Sequence, residues 1–116
     1  MYQLALLVDD VVVKLFLMKK ATITIGRGTD NDIQIEDGGV STKHACIRIV
    51  PSKLVEGYED IFLEDLGSKN GTLVNDEPVT RRQLKPNDVI TIAWSHFKVV
   101  DNLEQDKATT AYILLE

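Results

Sequence analysis

The chain has 116 residues, which is the size of one domain and too small for two ordinary ones. Its 13 Lys and Arg residues against 18 Asp and Glu residues give a formal net charge of −5, and this acidity argues against nonspecific binding to nucleic acid or to anionic membranes. Any anion must therefore be bound by a local cluster of positive groups.

The sequence also carries indications of the compartment. No apolar run approaches the roughly 18 residues that span a bilayer, and no basic segment with a small-residue cleavage site follows Met1, so a secretory signal is not expected. The single cysteine, Cys46, cannot form an internal disulfide. A lone thiol favours a reducing compartment, and we expect a cytoplasmic protein.

Apolar residues recur with a period of two along most of the chain, which is typical of β-strands. In chain order, the alternating runs cover residues 11–18, 22–25, 33–35, 45–49, 61–63, 89–92 and 97–99. They are rich in β-branched residues and are separated by turn-forming segments such as Asp9-Asp10 and Asn70-Gly71. Because alternating strands must bury one face against a second sheet, the pattern predicts a β-sandwich or a barrel.

The end of the chain differs in composition from the rest. Residues 101–110 are polar and mostly without pattern, and the apolar segment Tyr112-Ile113-Leu114-Leu115 follows them. We therefore divide the chain into a sandwich domain, residues 1–100, and a C-terminal tail, residues 101–116. The tail is either a last edge strand or a flexible extension.

Several catalytic patterns are present only in part. Gly26-Arg27-Gly28 lacks the third glycine and the following helix of a dinucleotide-binding loop. His44 and Cys46 would share one strand face, but a single further histidine and no second cysteine are available for a metal. Ser41 and His44 are a candidate hydrolytic pair without the strand–turn–helix elbow that exposes a catalytic serine. We expect a protein that is not an enzyme and that needs no cofactor and no metal.

Four loops share one chemical character, and loops at one end of a sandwich converge even when they are distant in sequence. They carry Gly26-Arg27, Ser41-Thr42-Lys43-His44, Ser68-Lys69-Asn70-Gly71-Thr72 and Asn75-Asp76. Together they would supply a guanidinium, ammonium groups, hydroxyls, a side-chain amide and backbone N–H groups. Such a set suits a phosphate dianion and the peptide that carries it, although each loop taken singly reads as a well-capped turn.

The order and spacing of these residues resemble the forkhead-associated (FHA) domain family. The matching text is Ile25-Gly26-Arg27, Asn31-Asp32-Ile33 with Ile35 and Asp37, residues 40–45 (VSTKHA), residues 64–75 (EDLGSKNGTLVN), and Leu84, Asp88, Ile90 and Ile92. The resemblance covers roughly residues 21–100. It implies an all-β fold: a β-sandwich of two mainly antiparallel sheets and about eleven strands, with ligand loops at one apex that bind phosphothreonine in an extended peptide.

The resemblance also implies roles for single residues. The phosphate-binding positions are Arg27, Ser41, Thr42 and Lys69, and Lys43 is a further candidate for a phosphate contact. Asn70 would hold the peptide main chain through its side-chain amide. The residues that would shape or brace the loops are Gly26, His44, Gly71 and Asn75.

The sequence departs from the family pattern at a few positions. Asp76, Asn87 and Ala93 stand where the family commonly has glycine. Aspartate and asparagine tolerate a positive φ angle, whereas Ala93 is expected to alter the turn before Trp94-Ser95. Thr42 replaces a more usual arginine or asparagine.

The expected function is recognition of partner proteins that an upstream Ser/Thr kinase has phosphorylated on threonine. Neither nucleic acid nor a membrane is an expected partner, and the expected state is a monomer or a weak, tail-mediated oligomer. The resemblance implies that the residue three positions after the phosphothreonine, often an aliphatic or acidic one, is also recognised, and Ile113 follows Thr110 by three residues. Thr110 and the adjacent Thr109 are therefore candidate phosphosites, and the phosphorylated tail would dock in its own pocket or in a neighbour's. The alternative is a phosphate-independent scaffold or assembly subunit that uses the sandwich surface.

Overall fold

The computed structural model describes residues 2–101, and the candidate phosphosites Thr109 and Thr110 lie outside the described residues. The described part consists of eleven strands and no helix, which confirms the predicted all-β fold. Among residues 2–101 no helix is present that is long and apolar enough to cross a membrane. The strands are β1 (Tyr2–Val8), β2 (Val11–Leu17), β3 (Thr22–Gly26), β4 (Ile33–Gln34), β5 (Ala45–Pro51), β6 (Glu59–Asp65), β7 (Leu73–Val74), β8 (Glu77–Pro78), β9 (Arg81–Leu84), β10 (Val89–Ile92) and β11 (Ser95–Asp101).

The strands form two sheets, as expected for a sandwich. The first sheet has six strands in the order β2-β1-β11-β10-β7-β8, and the second has five in the order β4-β3-β5-β6-β9. The pair β3–β4 is parallel, and the strand pairs with an assigned register are otherwise antiparallel. The predicted sandwich of two mainly antiparallel sheets is therefore confirmed.

The core lies between the two sheets and consists of the inward-facing aliphatic residues of both, together with Phe97. Alternation places every second residue there, as in β10, where Ile90 and Ile92 are fully buried while Val89 and Thr91 are half-buried. Burial of these side chains is the main source of stability for the scaffold that carries the loops. The largest buried apolar side chains are Leu4, Ile25, Ile47, Ile61, Leu63, Ile90, Ile92, Phe97, Val40, Val74 and Val99.

Three long loops meet at one end of the sandwich, which we call the apex. The first loop, residues 27–32, follows β3; the second, residues 35–44, precedes β5; and the third, residues 66–72, follows β6. Ile25 pairs with Ala45, and Ala45 pairs with Asp65, so the end of β3, the start of β5 and the end of β6 lie side by side. The register of the second sheet therefore brings the three loops together.

The fourth loop does not join them, which corrects the expectation that all four converge. The two-residue strand β7 pairs with β10 and leads the chain away from the apex, so that Asn75 lies beside the start of β10. There the Asn75 side chain donates to Asp88 Oδ1 over 2.9 Å and accepts from the Val89 N–H over 3.0 Å. Asn75 thus joins the β7–β8 turn to the start of β10.

The three non-glycine positions at which the family commonly has glycine all have a positive φ angle, the backbone conformation that favours glycine. The φ angles are 69° at Asp76, 77° at Asn87 and 54° at Ala93. Asp and Asn adopt this region at little cost, whereas alanine pays a steric penalty between Cβ and the backbone. The hairpin at Ala93 nevertheless closes, because Ile92 still pairs with Ser95.

Candidate anion-binding site at the apex

Backbone hydrogen bonds join the first loop to the second. The Arg27 N–H donates to the Ser41 carbonyl over 2.9 Å, and the Gly28 N–H donates to the Thr42 carbonyl over 3.1 Å. A Cβ atom at Gly26 would lie only 2.2 Å from the Thr42 carbonyl oxygen, so no residue other than glycine allows this approach. The close contact fixes the position of Arg27, the first residue after β3, relative to Ser41.

Asn31 reinforces the same junction, a role that the sequence reading missed. Its side-chain amide donates to the Gly28 carbonyl and to the Thr42 carbonyl, both over 2.8 Å. One side chain therefore holds two backbone segments that are far apart in sequence. The only signal for this role was the position of Asn31 in the matched motif, since an asparagine in a polar loop has no distinctive pattern of its own.

His44 braces the second loop against the third. Its side chain is fully buried. Nδ1 accepts a hydrogen bond from the Ser41 N–H over 3.1 Å, so Nε2 is the nitrogen that carries a proton and donates to the Gly71 carbonyl over 2.8 Å. Both ring nitrogens are thus committed to backbone groups, which leaves none for a metal or for proton transfer.

Two side chains join the second and third loops directly. The Lys69 N–H donates to Ser41 Oγ over 3.0 Å, and the Asn70 side-chain amide donates to the Gly39 carbonyl over 2.9 Å. The hydroxyl proton of Ser41 remains available for an additional acceptor. The backbone of the second loop is therefore held on one side by the first loop and on the other by the third.

Asp65, at the end of β6, organises the third loop. Its Oδ1 accepts from the N–H groups of Gly67 and Ser68, each over 2.8 Å, and its Oδ2 accepts from the Ser68 and Thr72 hydroxyls. Burial by itself would raise the pKa of Asp65, but the hydrogen bonds together outweigh burial, and the pKa lies below its ordinary value. The ionised carboxylate thus holds the chain just before Lys69 and Asn70.

The loops enclose one cavity of about 240 Å³. Its lining includes Arg27, Ser41, Lys69 and Asn70, four of the predicted ligand residues, and residues 38–40 complete it. Arg27 and Lys69 are exposed, and neither side chain forms an ion pair within residues 2–101. By contrast, Lys20, Arg48 and Arg82 each pair with a carboxylate. Two unpaired cations, a hydroxyl and an amide around one cavity suit a multivalent anion.

Other predicted site residues lie outside the lining of this cavity. Thr42 takes part in the apex through its carbonyl, which accepts from Gly28 and Asn31. The Lys43 ammonium lies 3.4 Å from Asp30 Oδ2, in an exposed ion pair. Gly71 has a φ of 85° and presents its carbonyl to His44. The contribution of Thr42 and Lys43 to ligand binding therefore stays a prediction.

Within the described residues, no group of three or more His, Cys, Asp or Glu side chains is arranged to hold a metal ion. Cys46 is buried in β5, and burial raises the pKa of its thiol. A thiol of this kind is protonated at neutral pH and is a poor nucleophile.

Comparison with known proteins agrees with the fold and with the loop pattern. The family model described as "FHA domain" matches residues 23–93, more than half of the chain. The two-sheet sandwich and its apical loops therefore define an FHA-type domain. The chain belongs to the FHA domain family.

Several curated relatives share the same region. The FHA domain-containing protein FhaA of Mycobacterium tuberculosis is 36% identical over 91 residues, which cover 78% of this chain and 16% of FhaA. The oxoglutarate dehydrogenase inhibitor of Corynebacterium efficiens is 40% identical over 77 residues, which cover 66% of this chain and 49% of the inhibitor. The glycogen accumulation regulator GarA of Mycolicibacterium smegmatis is also 40% identical over 77 residues, covering 66% of this chain and 44% of GarA. The chain thus spans half or less of these relatives.

Solved structures share the fold along most of the chain. The FhaA FHA domain, crystallised in complex with the intracellular domain of Rv3910, has a TM-score of 0.70 and 35% identity over 85% of this chain and 99% of that chain. A chain solved in a structural and functional analysis of phosphothreonine-dependent FHA domain interactions has a TM-score of 0.69 and 34% identity over 85% of this chain and 96% of that chain.

Proposed function

We propose that this chain is a phosphothreonine-binding module that recognises phosphorylated partner proteins in a signalling pathway. The observation that carries the proposal is the apical cavity, where Arg27 and Lys69, which have no ion-pair partner among residues 2–101, lie beside the Ser41 hydroxyl and the Asn70 amide. The family membership and the phosphothreonine-dependent interactions studied for a similar structure support the same function. A Ser/Thr kinase must act upstream on the partner.

In the proposed mechanism, charge selects the ligand. A phosphothreonine carries about −1.5 to −2 charges and three acceptor oxygens. Arg27 pairs with two of these oxygens through its planar guanidinium, Ser41 donates its hydroxyl proton, and Lys69 adds a positive charge. Asn70 holds the peptide main chain. Without the phosphate these contacts are lost, so unmodified peptide binds weakly.

The hydrogen bonds between the loops contribute by preorganisation. Ser41 is fixed by Lys69 and His44, and Asn70 is fixed by Gly39, before any ligand arrives. Binding therefore orders few additional groups, which lowers its entropic cost. The same rigidity disfavours an induced rearrangement as the means of recognition.

The same features support a regulatory rather than an enzymatic role. The apex offers no activated nucleophile and no free imidazole, because both nitrogens of His44 bond to the backbone. Relatives that are named an inhibitor and a regulator support this role. We infer a cytoplasmic location, which the single free, buried Cys46 supports.

Binding of matched peptides with and without phosphate on threonine tests the proposal. We expect wild type to bind the phosphopeptide only, with Arg27→Ala weakening it roughly tenfold to hundredfold. Arg82→Ala is the matched control, because Arg82 pairs with Glu77 and does not line the cavity. Equal binding of both peptides by wild type would refute the proposal and favour the phosphate-independent scaffold.

The tail offers a second ligand for the same cavity, proposed from the sequence alone. Phosphorylated Thr110 or Thr109 would occupy the cavity of its own chain or of a neighbour. Protein phosphorylated at Thr110 should then bind added phosphopeptide more weakly than unmodified protein, or form dimers in size-exclusion chromatography. Unchanged affinity together with unchanged elution would exclude this self-recognition.

A further inference from the structure

Trp94 is a large aromatic side chain that the fold leaves in solvent. It occupies the tip of the β10–β11 hairpin and is 87% exposed, whereas the nearby Phe97 is buried. A solvent-exposed tryptophan contributes no hydrophobic stabilisation unless a bound partner covers its ring. Tryptophan is also among the residues that contribute most to binding energy at protein interfaces.

A cleft of about 380 Å³ lies beside Trp94, outside the apical cavity. Leu7 and Val89 of the first sheet contribute apolar surface, and Trp94 forms part of one wall. The β1–β2 turn also borders the cleft, because Leu7 pairs with His96 and the residues that follow Leu7 therefore run alongside Trp94. His96 also lines the cleft, with Nδ1 bonded to the Thr91 hydroxyl over 3.0 Å.

The rim of the cleft is acidic. Asp9 and Asp10 both line it and both are exposed, and within residues 2–101 neither carboxylate has a hydrogen-bond or ion-pair partner. Their φ angles are 52° and 65°, the paired positive values of a two-residue hairpin turn. Two unpaired negative charges therefore face the same space as the tryptophan ring.

The cleft adjoins the apical cavity. A Cβ atom at Gly39 would lie 3.5 Å from Ala93 Cβ and 3.7 Å from the Asn70 side-chain nitrogen. Ala93 therefore lies near Gly39 and Asn70 of the apical cavity, and the next residue along the chain is Trp94 of the cleft. A peptide held by Asn70 can continue across Ala93 to the tryptophan.

We propose that the cleft binds a Lys or Arg side chain of the phosphorylated partner, at a position flanking the phosphothreonine. The aliphatic stem packs on Leu7, Val89 and the Trp94 ring, and the cationic head lies between the ring and the Asp9 and Asp10 carboxylates. An acidic side chain at that position is repelled. The partner thus binds at two adjacent sites of opposite charge, the positive apical cavity and the negative cleft. This inference rests on the proposed function.

Phosphothreonine peptides with Lys, Arg, Ala or Glu at each flanking position test the inference. We expect wild type to favour Lys or Arg over Glu at one flank by roughly fivefold or more, from one cation–π contact and two exposed ion pairs. Trp94 is the single tryptophan of the chain, so its emission reports directly on the cleft. The Lys or Arg peptide should shift that emission to shorter wavelength more than the Ala peptide does.

The double variant Asp9→Asn, Asp10→Asn should lose this preference while it retains binding of the Ala-flanked phosphopeptide, since asparagine keeps the turn geometry. The matched control is Glu56→Gln, Glu59→Gln, which removes the same charge from exposed positions at the opposite end of the sandwich. The control should keep the preference.

The outcomes separate the two proposals. If wild type binds the Ala-flanked phosphopeptide but does not discriminate Lys from Glu at any flank, the cleft proposal is wrong and the apical site stands. If the preference survives in the Asp9, Asp10 variant, the cleft does not provide it, and the inference is equally wrong. If no phosphopeptide binds, both proposals fail together.

Discussion

The hydroxyl oxygen of Ser41 accepts a hydrogen bond from the backbone N–H of Lys69 over 3.0 Å, across 28 residues of sequence. This bond ties the second apical loop to the third at the point where both line the cavity. Because the oxygen uses a lone pair for this bond, its proton stays free to be donated outward. A single hydroxyl therefore positions the loops and presents a donor to the ligand.

Ser41→Ala should weaken phosphothreonine-peptide binding roughly tenfold, because a hydrogen bond to a charged acceptor is lost. Ser52→Ala is the control, since the Ser52 hydroxyl likewise accepts from backbone N–H groups, those of Leu54 and Val55, far from the apex. Isothermal titration on both variants checks this. Equal affinities of the two variants would show that the Ser41 hydroxyl does not contribute to ligand binding.

The two candidate lysines should behave differently. Lys69 lines the cavity and forms no ion pair with any other described residue, whereas Lys43 pairs with Asp30 outside the lining. Lys69→Ala should weaken phosphopeptide binding about threefold to tenfold and reduce its dependence on salt, while Lys43→Ala should change affinity by less than about twofold. Fluorescence anisotropy at two ionic strengths measures both effects. A larger loss from Lys43→Ala would mean that Lys43 leaves Asp30 to contact the ligand.

His44→Phe should destabilise the domain by about 2 to 4 kcal/mol, since phenylalanine has a similar size but leaves the Ser41 N–H and the Gly71 carbonyl without their buried partners. Urea denaturation measures the loss. His96→Phe is the control because His96 is exposed, and its effect should stay below about 1 kcal/mol. Similar losses in the two variants would contradict a bracing role for His44.

Much of the fold was predictable because period-two alternation survives in strands that bury one face, such as β3 and β10. Strands β1, β7 and β8 lack this signal for physical reasons. In β1, Gln3, Leu4 and Ala5 are consecutive buried residues, so no alternation appears. Strands β7 and β8 have two residues each, too few for any period.

The sequence predicted which residues line the site better than it predicted the contacts that those residues form. Arg27 and Ser41 stand in a recognisable order along the chain, and the register of the second sheet brings them together. The bonds made by Asn31 and Asp65 arise only when distant backbone segments meet, and no local pattern encodes them. The direction of Lys43 is set by Asp30, a contact that the order of motifs does not reveal.

Ala93→Gly should stabilise the domain by about 0.5 to 1 kcal/mol. At a φ of 54°, the Cβ atom of Ala93 introduces steric strain into the folded state, and glycine would relieve it. This gain exceeds the loss in stability that arises because glycine makes the unfolded chain more flexible. Ala21→Gly is the control, because Ala21 is exposed and does not have a positive φ, and glycine there should be neutral or destabilising. The midpoints of urea denaturation decide, and a destabilised Ala93→Gly would contradict the steric explanation.

The stability of the folded domain should decrease at acidic pH, because the carboxyl groups of Asp65 and Asp32 become protonated. The Lys20 hydrogen bond and the bonds from Thr24 lower the pKa of Asp32, and the loop hydrogen bonds lower that of Asp65. A carboxyl whose folded pKa lies below its unfolded value stabilises the fold at pH values above the unfolded pKa. That stabilisation is lost as pH falls below about 4 and through the folded pKa.

The variant Asp65→Asn isolates the contribution of the third loop to this acid sensitivity. At pH 7 it should be less stable than wild type, because the amide cannot accept all the bonds that the carboxylate accepts from Ser68, Thr72 and the backbone. Since the variant has no carboxyl to protonate there, the stability difference from wild type should shrink between pH 5 and about pH 3. Urea denaturation across this range measures it, with Asp76→Asn as the control, because Asp76 is exposed in the β7–β8 turn. A difference that stays constant with pH would mean that Asp65 acts through its shape and not through its charge.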